Sequence, residues 1–198
     1  MPNLNSVLPD CYLYISHLDG VDEAQYWTLP SYPDSVADSM SSSFQEQNAL
    51  GRSAPVYTFS NAGPRTVQID LKFHRDMFDE VSAGGGSNAT LRDEDDYADS
   101  FIRALQAIAV PKYNLSNKAI EPPLVAVRLG KEVFIKGVVT SGISLTYSKP
   151  ILDNEKYAQV AVSFTVSEVD PYDASSVYKN GSFRGLTATL RKNMGMGE

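Results

Sequence analysis

Ala158-Gln159-Val160-Ala161-Val162-Ser163-Phe164-Thr165-Val166-Ser167-Glu168 is the stretch on which the fold turns. Ala158, Val160, Val162, Phe164 and Val166 share one side of an extended chain, and Gln159, Ser163, Thr165 and Ser167 share the other. That period of two predicts a long strand with one face in a core and one face in water. Upstream, Asp153-Asn154 supplies turn chemistry after Ile143–Tyr147, so the two runs form a hairpin with long arms. Gly142 breaks the earlier run Val133–Val139 from Ile143–Tyr147, where a bulge or bend is expected. Leu124–Leu129 joins Val133–Val139 through Gly130-Lys131 as a further hairpin.

The same alternation appears earlier. Val67, Ile69, Leu71 and Phe73 point one way, while Thr66, Gln68, Asp70 and Lys72 point the other. Pro55–Ser60 precedes this strand, and Asn61-Ala62-Gly63-Pro64 between them predicts a hairpin of the two. Asp93–Val110 changes to helical spacing, with Tyr97, Phe101, Ala104, Leu105 and Ile108 on one stripe. Asp93, Glu94, Asp95 and Asp96 suit the positive end of a helix dipole, and Pro111 stops the run. Ser82–Asn88, with three successive glycines, predicts a mobile loop.

Two stretches carry no period. Asp22–Ser53 is polar, interrupted by Pro30 and Pro33, and predicts a long irregular excursion that still holds Tyr26, Trp27, Tyr32 and Phe44. The tail after Asp170 loses alternation but keeps Tyr172, Tyr178 and Phe183, with Lys179, Arg184, Arg191 and Lys192 set in an otherwise acidic chain. The expected organisation is an N-terminal segment with an irregular arm over 1–53, a β domain over 54–170 including the helix 93–110, and an extension over 171–198. The fold class is mainly β (α+β), antiparallel, a sandwich or barrel with one flanking α-helix and extended arms.

Composition narrows function. The net charge of −7 over 198 residues disfavours a phosphate-backbone partner, because nucleic-acid binding draws on clustered Lys and Arg. No apolar run approaches the roughly 20 residues that span a bilayer, so no membrane role is expected. The single cysteine, Cys11, sits beside an apolar run and reads as a small core residue. The two histidines, His17 and His74, lack metal-ligand spacing with it. His74-Arg75-Asp76 matches a kinase catalytic-loop triplet, but the Gly-rich loop, the paired Lys and the downstream Asn that give such a triplet meaning are missing. No Gly-x-Ser-x-Gly elbow or phosphate-binding loop is present, so no cofactor, metal or catalytic residue is assigned and binding is favoured over catalysis.

Pro122–Gly130, Phe134–Val139 with its Lys136-Gly137-Val138, Ile143–Tyr147 and Ala158–Glu168 together resemble the C-terminal part of baseplate hub and tube-adaptor proteins of contractile-tailed bacteriophages and related contractile injection systems. The resemblance extends over Phe44–Asp173, and the residues after Asp170 are too few for the cell-wall-binding module that such proteins often carry. It implies a tail-tube-like fold, a homo-oligomeric ring with six copies expected, other tube, sheath or baseplate proteins as partners, and a place in a virion tail assembled in the host cytoplasm. Within that reading Trp27, Tyr32, Phe44, Tyr172, Tyr178 and Phe183 are the candidate assembly contacts. A tail terminator or neck protein, a carbohydrate-binding β-sandwich and an enzyme of unrecognised type, which a pocket gathering His74, Asp76 and another titratable group would mark, are the competing readings.

Overall fold

The computed structural model describes residues 11–16, 25–48, 50–78, 87, 95–114, 119–170 and 173–181. The expected mobile loop, apart from Ser87, and the tail beyond 181 lie outside the described residues. The strands in chain order are β1 (Cys11–Ile15), β2 (Gln25–Thr28), β3 (Ser35–Ser39), β4 (Ser42–Gln47), β5 (Val56–Ala62), β6 (Thr66–His74), β7 (Lys112–Asn114), β8 (Ala119–Glu121), β9 (Val125–Leu129), β10 (Val133–Ile151) and β11 (Tyr157–Glu168). The helices set wholly within the described residues are α1 (Tyr97–Ile108) and α2 (Ala174–Asn180). Seven strands form one sheet in the order β2-β1-β9-β10-β11-β6-β3, while β4 with β5 and β7 with β8 form separate ribbons. Every pairing is antiparallel. The expected mainly β fold with a flanking helix is what the chain adopts.

β11 earns its central place through its two neighbours. Its register sets Val160 opposite Phe73, Val162 opposite Leu71, Phe164 opposite Ile69 and Val166 opposite Val67, so two alternating strands bring their apolar sides to one face. α1 lays Tyr97, Ala98, Phe101, Ile102, Ala104, Leu105 and Ile108 on that face. Phe101 is wholly buried, 5.4 Å from the Phe78 ring and 6.1 Å from the Phe73 ring. The opposite face of β6 and β11 shows Gln68, Asp70, Lys72, Ser163 and Thr165, which stay solvated or half-buried.

Two glycines are fixed by geometry in β10. At Gly137 a Cβ would stand 1.8 Å from the Ser167 carbonyl oxygen, so the strand can approach β11 there only without a side chain. Gly142 takes φ +71 inside the register shift between Val139 and Ile143, which is the bulge expected at that position.

Two expectations change. Asp22–Ser53 is not an irregular excursion, because it supplies β2 and β3 to the main sheet and β4 to a ribbon. β5 does not pair with β6. It pairs with β4, while β6 lies between β11 and β3, so the turn residues around Gly63 redirect the chain without joining its flanking strands. After Pro111 the chain forms a short ribbon in which β7 and β8 pair.

Charged groups fasten α1 at its N-terminus. Asp96 caps it by accepting from the Asp99 backbone N–H at 2.7 Å. Arg75, buried at the end of β6, reaches Asp96 at 3.0 Å and Asp99 at 2.8 Å, and its Nε donates to the Tyr157 carbonyl. Lys156, in the turn before β11, contacts both carboxylates as well. Burial opposes the charge on Asp99, but the hydrogen bonds from Lys156 and Arg75 outweigh it and hold the carboxyl below its usual range.

Phe101→Ala should lower unfolding free energy by about 3 to 5 kcal/mol through lost burial and the cavity left behind, measured by urea denaturation. A loss under about 1 kcal/mol would show that α1 is peripheral to the core. Asp99 binds its proton more weakly in the folded chain than in the unfolded chain, whose value is about 3.9. Its stabilisation is therefore complete above that value and disappears as pH falls through the lower folded one. Asp99→Asn should cost roughly 1.5 to 3 kcal/mol at pH 7 and far less at pH 2 to 3, flattening the acid limb of the stability curve. An unchanged acid limb would remove Asp99 from that role.

Candidate assembly surfaces

The ribbon of β4 and β5 leaves the sheet at the end where β3 and β6 stop pairing, at Ser39 opposite Thr66. Its root is held by Arg65, one of the most deeply buried side chains among the described residues. Arg65 Nε donates to Asp38 at 2.8 and 3.1 Å, and Arg65 Nη1 donates to the Phe134 carbonyl at 2.9 Å. A guanidinium out of water requires such partners, and here they come from β3 and β10. The Arg65 carbonyl in turn accepts from the Glu168 N–H at 2.9 Å, which ties the same point to the end of β11.

Beyond that root the ribbon stands in solvent. Its register sets Phe44 opposite Phe59 and Glu46 opposite Tyr57, so three aromatic rings share one face. Phe44 and Phe59 are each 56% exposed and meet edge to face at 5.5 Å. Past the last pair, Gln47 opposite Val56, Leu50 is fully exposed beside Gly51 at φ +84. At the root, Met40, Phe59 and Ala62 face Ala174, Val177 and Tyr178 of α2 across an apolar groove of about 620 Å³, with Asp173 at its rim. Tyr178 is 92% exposed.

At the far end of the sheet the β10–β11 hairpin carries Tyr147 and Tyr157, 6.0 Å apart, with Ile151 exposed beside them. β9 pairs with β10 only from Val133 to Gly137, so the described pairings leave one edge of β10 open from there to its tip.

The expected contact residues divide. Phe44 and Tyr178 are surface residues flanking the arm and the groove, and Tyr32 is half-exposed beside Gly130. Trp27 is inside the subunit, 2% exposed, with Tyr97 at 5.3 Å and Phe101 at 6.0 Å, so it is a core residue and not part of the subunit surface. Tyr172 and Phe183 lie outside the described residues. Leu50, Tyr57, Phe59 and Met40 were not singled out from sequence: Tyr57 and Phe59 lie on β5, while Met40 and Leu50 lie outside the strands on either side of β4, where no period marks them.

The groups suggested for an enzyme are placed as follows. The His74 ring accepts from the Asp76 N–H at 3.4 Å and lies 3.3 Å from the Asp76 carboxylate. Lys72, His74, Ser148 and Gln159 line a cavity of about 420 Å³ on the polar face. Lys72 reaches Asp34 at 3.5 Å. Cys11 is fully buried, its thiol facing the Ser31 carbonyl at 3.6 Å, and burial pushes its pKa up to about 12.

No protein-family model matches the chain, and no curated protein matches it. Among solved structures it is similar to a chain in the tail of an empty GTA particle of C6 symmetry, at 11% identity and a TM-score of 0.38, over 83% of this chain and 96% of that one.

A thiol both buried and held protonated is a poor nucleophile. Cys11 should therefore resist a thiol reagent such as dithionitrobenzoate in the native protein and react within the mixing time in denaturant. Rapid native labelling at pH 8 would mean that β1 opens readily.

Proposed function

We propose that this chain is a structural, non-catalytic subunit of a phage or phage-like contractile tail, forming a homo-oligomeric ring of six copies at the junction of tube and baseplate. The observation that carries the reading is the arm formed by β4 and β5. An isolated two-stranded ribbon is at best marginally stable in water and needs a third strand or a packed face. This one holds Phe44, Tyr57 and Phe59 outward, each more than half exposed. An unsatisfied apolar face on a built and anchored element favours a protein partner. The open edge of β10 favours the same conclusion, since unpaired strand edges invite pairing with another chain.

The resemblance carried by Pro122–Gly130, Phe134–Val139, Ile143–Tyr147 and Ala158–Glu168 selects a tail assembly among the many assemblies that such a subunit could serve. A terminator or neck position would use the same surfaces. A carbohydrate-binding module is supported less well, because Trp27, the residue best suited to stack on a sugar, is spent in the core.

Mass photometry and negative-stain microscopy of the purified chain test the reading. Concentration-dependent growth from one chain to closed rings, with six copies predominant, is the expected result. A chain that stays monomeric up to its solubility limit would overturn it.

A further inference from the structure

The arm carries a projection at its tip and a recess at its root, and the two match in chemistry. At the tip, Leu50 is fully exposed with Arg52 two residues on, also exposed. At the root lies the apolar groove of about 620 Å³ between Met40, Phe59 and Ala62 on one side and Ala174, Val177 and Tyr178 on the other, with Asp173 at the rim. An aliphatic side chain beside a cation is thus the chemical complement of an aliphatic and aromatic recess beside a carboxylate. Asp173 already accepts from the Ser176 N–H at 2.6 Å, but a carboxylate offers about four acceptor positions and retains capacity for a guanidinium.

The tip cannot fill the groove of its own chain. The paired register runs from Ser42 opposite Ala62 at the root to Gln47 opposite Val56, so Leu50 lies beyond a paired ribbon roughly 17 to 20 Å long. We propose that Leu50 of one copy seats in the arm-root groove of a second copy, with Arg52 beside that copy's Asp173. The inference rests on the assembly reading and names its contact. Projection and recess are different surfaces, so the contact is heterologous and passes from copy to copy in one direction, as closed rings require.

Thiol cross-linking reads the contact directly, because the only cysteine in the sequence, Cys11, is buried. Leu50→Cys protein mixed with Ala174→Cys protein under mild oxidation should give a disulfide-linked pair. It should form faster than Leu50→Cys with itself, or than Leu50→Cys with Lys131→Cys, a control at the exposed β9–β10 turn. Absence of that preference overturns the proposal. In parallel, Leu50→Asp alters a side chain already in water, so it should leave thermal unfolding of the subunit unchanged while raising the concentration for half-assembly about tenfold or more. Wild-type assembly with Leu50→Asp assembling at the same concentration refutes this contact and leaves the assembly reading standing. A wild-type chain that never assembles removes both.

Discussion

The burial of Arg65 is the constraint on which the arm depends. A guanidinium held away from water is tolerated only with near-complete neutralisation and hydrogen bonding, and removing one partner of such a group is far more damaging than the pair is stabilising. Asp38 supplies the charge from β3, and Phe134 supplies a carbonyl from β10. β3 is an edge strand of five residues with little of its own surface buried, so its attachment relies on this contact and on its pairing with β6. The chain passes from β3 into β4 and returns from β5 into β6. The position of Asp38 therefore fixes where the arm begins, and the position of Arg65 fixes where it ends.

Half-burial explains which parts of this architecture were legible in the sequence. β6 and β11 each bury one face, and their apolar residues repeat every second position for that reason. α1 was legible from its stripe and its capping aspartate, and Gly142 from the break that it makes in a strand pattern. β4 is exposed at all six positions, and β3 at four of five. A strand with no buried face imposes no period on its residues, so Ser35–Gln47 read as irregular chain although β3 and β4 within it are each paired along one edge. The partner of β5 was hidden for a related reason: turn residues such as Asn61 and Gly63 report that the chain changes direction, but they do not say which strand β5 pairs with, and β4 carries no period that would mark it as a strand.

The candidate surface was legible only in part. Large aromatic residues in an aperiodic stretch are ambiguous, since either a core or a partner can cover them. Trp27 proved to be covered by α1 of its own chain, which lies some 70 positions away in sequence and leaves no local signature beside the tryptophan. Phe44 differs because its opposite number, Phe59, is on the same exposed ribbon, and their edge-to-face contact leaves each ring more than half exposed.

Both poles of the subunit are held by charge, and this bears on how association can work. At one end Arg75 and Lys156 bind Asp96 and Asp99, fixing α1 against β6 and the turn before β11. At the other end Arg65 binds Asp38 and the Phe134 carbonyl. Ordering side chains and loops is among the main costs of binding, and it is reduced when the element that docks is already held in its bound direction. An arm springing from a clamped root meets that condition along its paired length, whereas an arm hinged at its root would lose in entropy much of what Phe44, Tyr57 and Phe59 gain by burial. On the proposed assembly reading, the expense of burying a guanidinium would have its return outside the subunit, in the direction that it imposes on an arm whose aromatic residues stand largely in solvent.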